Sequence, residues 1–596
     1  MPQYKAPIEN INFILNDVFN VEDVAKLEGY EEATPDMVEA IIGEGARICE
    51  DVLFPLNQSG DQEGCTWDDG VVTTPKGFKE AYDTYIQNGW TSMVAHPEYG
   101  GQGLPQIVQV VMEEMICSAN MSFGMYPGLS KGAYDAIYMH GSEQLKETYL
   151  PKLAEGTWSG TMCLTEPHCG TDLGQIKTKA VPKDDGSYEI TGTKIFISAG
   201  EHDLTENILH LVLAKLPGAP DTTRGISLFL VPKFNVKSDG TIGDRNGIKC
   251  GSIEHKMGIH ANATCVMNLD DAKGFLVGKP NEGMKAMFTM MNMARLAVGM
   301  QGLGLAEIAY QNALVYAKDR LQGRGLDGTK APDKPADPII VHPGVRLELL
   351  RMKSVIEAGR ALTYYTGIRE DIAHKHPDAD VRQEAADWVA LMTPVIKAHL
   401  TDMGYDIATR AMEVYGGHGF IQEWGMEQYV RDVEITKIYE GTNGIQALDL
   451  VGRKMGQNTG RLLRSFFHPV LEFIDAHKDH AEIGQYMEAF GKSVSKLQNA
   501  TITLATKGLK NPLEAGAGAK DYLKMFGVIS LGYMQLLMAK AAHEKIEAGA
   551  GDPKFYDAKL KCCRYYIERV LPEHYSAYHA LLTGADNLMA LSEDQF

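Results

Sequence analysis

Apolar positions set two different rhythms along the chain. From residue 1 to 157 the spacing is mostly helical: Ile107, Val111 and Met115 recur at i, i+4 and i+8 and predict one buried helix face. The connections there carry turn residues, as in "HPEYGGQGLP" at 96–105. Between 158 and 280 the rhythm shortens. "SYEITGTKIFISAG", "NILHLVLAKL" and "GISLFLVPKF" are short, β-branched and aromatic-rich, and Asp185-Gly186 ahead of Tyr188 predicts a hairpin. With no helical pattern between these strands, antiparallel pairing is expected. Long helical patterns return over 281–455, notably 345–373 and 386–415, the second stopping at Gly416-Gly417. The Pro/Gly/Asp-rich run 323–338 reads as a loop between helices. After the joint "GQNTG", residues 456–596 read as a further helical segment. The expected plan is therefore an α+β chain of four parts: helical 1–157, a β domain at 158–280, a helical bundle at 281–455 and an additional helical domain at 456–596.

Composition narrows the function classes. A chain of 596 residues with 44% hydrophobic and 23% charged residues is ordinary globular protein. Its net charge of −21 disfavours nonspecific binding to nucleic acid or to anionic membrane. The nine cysteines are scattered without a CxxC pair, the adjacent Cys562-Cys563 lacks metal-ligand spacing, and no metal site is expected. That usage suits a reducing cytosol, and the start MPQYKAPIEN lacks the basic-then-apolar pattern of a secretory signal. A cytoplasmic location is expected. The most apolar stretch, Met525–Ala539, is interrupted by Ser530 and Gln535 and reads as a packed helix.

Two motifs imitate active sites. Gly128-Leu129-Ser130-Lys131-Gly132 matches GxSxG, but a nucleophile elbow needs a buried strand ahead of it, and "MSFGMYP" is not one. Gly302-Leu303-Gly304 resembles part of a dinucleotide fingerprint, but it lies within a helical pattern. Small residues for close helix packing explain it better. Two other stretches carry more chemistry. In "MCLTEPHCGTDLGQIKTKA" (162–180), hydroxyls and turns precede hairpin strands, which suits either a ligand-facing wall or a plain β-domain loop. In "RDVEITKIYEGTNGIQ" (431–446), Glu440 stands between a tyrosine and a glycine, as an exposed turn residue or as a base aimed by the turn.

A resemblance bears on that choice. "CLTEPHCGTD", "KIFISAG", "HKMGI", "YGGHGF" and "RDVEITKIYEGT" stand in the order and at roughly the spacing seen in the acyl-CoA dehydrogenase family. Together they cover most of residues 80–455, and the tail resembles that of longer bacterial members. The resemblance implies an FAD-dependent enzyme that converts an acyl-CoA thioester to a trans-2-enoyl-CoA. A base takes the α proton, the β hydrogen leaves as hydride to flavin N5, and an electron-transfer flavoprotein accepts the electrons. It implies Glu440 as base, with its N–H pointed at the thioester carbonyl; Ala294 occupies the position of an alternative base. It places Met162, Cys163, Leu164 and Thr165 against the isoalloxazine, Thr171 near flavin and substrate, Phe196 stacked on the ring and Ser198 at N5. It assigns Arg320, Gln322 and His342 to the pyrophosphate or adenosine side. Glu413, Gly416, Gly417, Gly441, Thr442 and Gly444 would meet FAD across a subunit interface. Asn292, Arg295 and Tyr439 fall on the substrate side. Glu413 replaces a frequent Gln, and His168 and Cys169 replace residues that are often small. A homodimer is expected, because the additional domain resembles one that covers the face by which four-subunit members pair. Long straight-chain acyl-CoA and 3-methylthiopropanoyl-CoA both remain open as substrates, with Met112, Phe123, Met125 and Tyr126 as pocket-lining candidates or plain core. An acyl-CoA oxidase and a noncatalytic acyl-CoA or flavin-binding protein are the alternative readings.

Overall fold

The computed structural model describes residues 2–596, which fall into two compact units. One unit contains 45–104 and 115–297; the other contains the chain up to residue 44, 105–114 and 298–596.

The first of these is built around the β domain. Its main sheet has seven strands, and the long Thr264–Val277 strand gives it curvature. Thr264 to Gly274 of that strand pair antiparallel with Tyr188–Ser198, and its last residues, Phe275 to Val277, pair antiparallel with Ile226–Pro232. Ile226–Pro232 pairs in turn with Asn207–Lys215, so the sheet wraps towards a barrel. The hairpin expected at Asp185-Gly186 is present: Lys179–Pro182 and Tyr188–Ser198 are antiparallel, and the Asp185 carboxylate accepts from the Ser187 N–H and hydroxyl. Antiparallel pairing dominates, but Asn207–Lys215 is joined in parallel by Trp158–Cys163 and touches Lys179 in the same sense. Both faces of Asn207–Lys215 are covered. Leu209, Leu211 and Leu213 enter one apolar cluster, while Val212 and Ala214 enter another. That double burial explains its unbroken apolar run, where a one-sided strand would alternate.

Helices and a small ribbon complete this unit. The ribbon, Thr66–Asp68 with Val71–Thr73, lies in the stretch that reads as helical, where Asp69 and Gly70 supply the positive φ of a tight turn. Ser130 lies inside the Gln106–His140 helix, buried, donating to the Tyr126 carbonyl and accepting from the Gly160 N–H. It is a packing hydroxyl, not a nucleophile. Phe123 contacts the rings of Phe78, Tyr82 and Tyr85, and the Tyr126 hydroxyl donates to the Ala261 carbonyl, so both serve as core.

The other unit is helical. Pro343–Lys375 and Ala379–Val414 are two of its long helices, and the second starts seven residues before the 386 expected from periodicity because Asp378 caps it. The bundle portion of Gly283–Asp319 crosses Ala379–Val414 at backbone contact. A Cβ on Gly302 would lie 2.7 Å from the Leu400 carbonyl oxygen, which accounts for the first glycine of the fingerprint-like stretch. At the bundle centre Arg360 is fully buried and donates to Glu114, Glu307 and Asn10, while the Tyr364 hydroxyl donates to Glu114.

The additional helices pack on this bundle as one body with it. Pro512–Glu547 includes the apolar Met525–Ala539 stretch, and 89% of its most hydrophobic window is buried. A Cβ on Gly527 would reach within 2.2 Å of the His399 ring. Lys559 donates to Glu357 at 2.8 Å, and Gln535 donates to the Ser354 carbonyl at 2.6 Å. Arg351 with Glu573 and Arg461 with Asp387 add further ties.

Candidate active site

In the helical unit the central feature is the turn after residue 437. Glu440 has φ +58°, the left-handed region that a non-glycine residue enters at a cost of roughly 1–3 kcal/mol. Gly441 follows at φ +83°, where the lack of a Cβ removes the penalty. Thr442 then caps the Asn443–Asp449 helix by accepting from the Ile445 N–H. Glu440 is half-buried, and the two successive left-handed residues separate the short turn Ile435–Lys437 from the Asn443–Asp449 helix. Buried donors hold the turn. Gln446 Nε2 donates to the carbonyls of Glu440 (3.0 Å) and Gly441 (3.2 Å), and Lys397 Nζ donates to the Gly441 carbonyl at 2.9 Å. Lys397 and Gln446 are fully buried. The Tyr439 hydroxyl donates to Gln301 Oε1, which fixes that ring.

The same unit gathers the other predicted residues into two patches. His342 Nε2 bonds the Gln322 carbonyl at 2.8 Å, and the Ile339 N–H donates to the Arg320 carbonyl, so Arg320, Gln322 and His342 share one loop base. That loop is organised by buried Asp337, which accepts from the N–H groups of Gly325, Lys330 and Ala331 and from Arg324. Burial alone would push the Asp337 carboxyl up, but these donors outweigh it and hold it well below the usual carboxylate range. The second patch is the end of Ala379–Val414. Glu413, Gly416 and Gly417 are exposed there, and a Cβ on either glycine would meet nothing within 4 Å. Packing within this chain therefore does not demand glycine at Gly417, whereas Gly416 stands at φ +59°, where glycine is favoured; the open space beside both suits a ligand or a second chain.

In the β-containing unit, the two segments singled out from sequence are tied together. The Ile195 N–H donates to the Thr165 carbonyl at 2.9 Å, and Lys194 Nζ donates to the Leu164 carbonyl at 3.0 Å. Phe196 has φ +59° and is 59% exposed, a large ring held outward from a strained backbone. Ser198 and Met162 are half-buried and Thr171 is exposed. Cys163 is different: its thiol lies in the core near Thr161, pushed up to about 11 by burial, so only its backbone can face a ligand. Arg295 is buried and Asn292 exposed on the Gly283–Asp319 helix.

Sequence reading missed the supports. Glu166 and Lys194 form a buried pair at 2.9 Å, and Glu166 also accepts from the Lys177 N–H and from the Thr178 N–H and hydroxyl. Burial pushes the Glu166 carboxyl up, but the Lys194 ammonium and these bonds hold it below its usual range. Glu166, His168 and Cys169 bring ligand atoms within 4.8 Å of one another, yet the carboxylate is already committed to Lys194 and Thr178. The cluster braces the 164–178 loop. The only sequence sign of these residues was their presence in or beside the quoted motifs.

An outward aromatic ring beside a hydroxyl-bearing strand end, a carboxylate on a strained turn, and glycines facing open space fit a flavin enzyme that removes a proton from carbon. The matches to family models agree: "Acyl-CoA dehydrogenase, N-terminal domain" over residues 66–157, "middle domain" over 161–272, "C-terminal domain" over 281–455, and "Acetyl-CoA dehydrogenase C-terminal like" over 466–592. The chain belongs to the acyl-CoA dehydrogenase family, and it is a flavoprotein oxidoreductase that dehydrogenates an acyl-CoA. It is 42% identical over 598 residues to the 3-methylmercaptopropionyl-CoA dehydrogenase of Ruegeria pomeroyi, covering 99% of this chain and 100% of that one. It is 33% identical to a butyryl-CoA dehydrogenase of Syntrophomonas wolfei, covering 100% and 99%. The acyl-CoA dehydrogenase of Bacillus anthracis, solved in complex with FAD, shares the fold at a TM-score of 0.74 and 20% identity, over 96% of this chain and 91% of that one.

Proposed function

We propose that the chain oxidises a short, unbranched acyl-CoA, with the thioether 3-methylmercaptopropionyl-CoA as its first substrate, FAD as its flavin and Glu440 as its base. Two full-length relatives are named for short acyl groups, and the observation that carries the base assignment is the left-handed Glu440 on its braced turn. The α C–H of a thioester is a poor acid, so the carboxylate must be held within contact distance of it before reaction. A base on a flexible surface turn would spend its time elsewhere, whereas the Glu440 backbone is fixed at both its own and the next carbonyl. The Glu440 N–H would donate to the thioester carbonyl as negative charge grows there. When bound, FAD supplies the hydride acceptor for the β hydrogen. Phe196, Ser198 and the Met162–Thr165 backbone would hold its ring system, and Arg320, Gln322 and His342 its charged or adenosine end.

An electron-transfer flavoprotein is the proposed acceptor of the electrons, a homodimer the proposed assembly and the cytoplasm the proposed location. Glu440→Gln keeps shape and hydrogen-bonding size but removes the basic oxygen. The variant is expected to purify yellow and to lose at least about 10³-fold in turnover, within the range that proton-transfer groups contribute. Anaerobic bleaching of the flavin by 3-methylmercaptopropionyl-CoA, butyryl-CoA and palmitoyl-CoA ranks the substrates in the same experiment. Near-normal bleaching by the variant would remove Glu440 from the reaction, and faster bleaching by palmitoyl-CoA would remove the short-chain assignment.

A further inference from the structure

We propose that Lys397, on the Ala379–Val414 helix, is a positioning residue for Glu440: its buried ammonium locks the turn in the geometry that aims the carboxylate. The inference rests on Glu440 being the base. Lys397 is 0% exposed, and Nζ donates both to the Gly441 carbonyl (2.9 Å) and to Asn443 Oδ1 (2.8 Å). Through the first bond it holds the residue directly after Glu440. Through the second it orients the Asn443 amide, whose Nδ2 donates to Thr401 Oγ1 (2.9 Å), Asp402 Oδ1 (2.8 Å) and the Ala398 carbonyl (3.1 Å). Gln446 supplies the remaining donor, to the carbonyls of Glu440 and Gly441.

The arrangement is more than helix packing needs. A leucine or methionine would fill the same volume without the cost of desolvating an ammonium. What an apolar side chain cannot do is hold a strained peptide. Two consecutive left-handed residues relax unless their surroundings over-determine them, and here the peptide that joins Glu440 to Gly441 and the next one are each anchored through their oxygens. With Nζ removed, Gly441 keeps the longer 3.2 Å bond from Gln446, and Asn443 Oδ1 keeps the longer 3.3 Å bond from Thr401 Oγ1. The turn then drifts, and the carboxylate drifts with it. A misplacement of about 1 Å in a reacting group is enough for roughly a 10²-fold loss of rate. Lys397 Nζ acts on the turn through the Gly441 carbonyl and Asn443 Oδ1, so its effect should fall on the step in which the proton moves rather than on acyl-CoA affinity.

The test compares Lys397→Met, Lys397→Arg and Gln446→Met with Glu440→Gln in the flavin-loaded enzyme. Lys397→Met is expected to retain flavin, with its absorbance ratio unchanged, and to lose about 10–100-fold in kcat while KM moves less than about threefold. Its α-deuterium isotope effect should equal or exceed that of the parent. Lys397→Arg, which keeps a charged donor, should recover part of that loss, and Gln446→Met should show the same kcat-selective loss. A kcat within threefold of the parent in Lys397→Met overturns the inference, as does a loss confined to KM or a fall in the isotope effect. If Lys397→Met does not fold, Gln446→Met decides by the same criteria. If Glu440→Gln itself turns over normally, the base assignment fails and takes this inference with it; an inactive Glu440→Gln beside an unaffected Lys397→Met refutes the role of Lys397 alone.

Discussion

Lys559→Met should cost the helical unit about 3 kcal/mol, because it removes the inner half of a buried ion pair. Lys559 is 2% exposed and lies 2.8 Å from Glu357 Oε1, with the Phe555 and Phe13 ring centroids 4.4 and 5.5 Å from the ammonium. Glu357 is 6% exposed and fully desolvated, so burial alone would push its carboxyl up; the two cations, Lys559 and Lys353, hold it at about 2 instead. Breaking a buried pair by deleting one partner costs roughly 3–5 kcal/mol. The low end applies here because Lys353, 31% exposed and 2.6 Å away, remains on Glu357. The pair contributes fully above the ordinary glutamate range near 4.5 and is lost as pH falls towards 2, so pH 7 is the place to measure it. At roughly 2.1 cal/mol/K per residue over the 596 residues, a loss of about 3 kcal/mol lowers an all-or-none melting temperature by about 2–3 °C. Calorimetry at pH 7 reads this directly. Glu357→Gln should destabilise too, and the double variant Lys559→Met/Glu357→Gln should be less destabilised than the sum, by a coupling of at least about 1 kcal/mol. Additive effects, or a Lys559→Met that melts with the parent, would mean that the pair does not hold the additional helices on the bundle.

Two further outcomes follow from burial. His202, His210 and His399 are pushed down to about 3 by burial, so the unfolded chain takes up protons near 6.5 that the folded chain refuses. Stability is therefore complete above about 6.5 and falls as pH drops below it, by about 1.4 kcal/mol per histidine at pH 5.5; equal melting temperatures at pH 7.5 and 5.5 would contradict this. Gly527→Ala and Gly516→Ala place the same methyl on one helix, the first 2.2 Å from the His399 ring and the second in open space. The first should destabilise by about 1–3 kcal/mol and the second should stabilise by up to about 1 kcal/mol, measured by thermal melting; the reverse order would refute the close approach of Gly527 to His399.

Much of this molecule was legible in the order of its residues. Local periodicity marks the helices and the β domain, because a helix face repeats near 3.6 and a strand near 2. Gly416-Gly417 and the hairpin at Asp185-Gly186 could be read correctly, since each depends on neighbours a few residues away. The helical pattern around Gly302-Leu303-Gly304 spoke against a fingerprint, although the partner that Gly302 packs on, Leu400, is far along the chain. The motif order identified the family, and with it Glu440 as a candidate base. Sequence could not reveal what holds that base. Lys397 lies 44 residues from Gly441 and reads simply as one more polar position on a long helix. The Glu166–Lys194 pair spans 28 residues and joins two separate motifs, and Lys559 meets Glu357 across 202. The expected antiparallel sheet likewise acquires its parallel pairings only when Trp158–Cys163 lies beside Asn207–Lys215. The physical reason is common to all four. Propensity and turn chemistry act over a few residues, whereas desolvated charges and strained peptides exist only once distant segments close around them, and only the tertiary structure decides which segments those are.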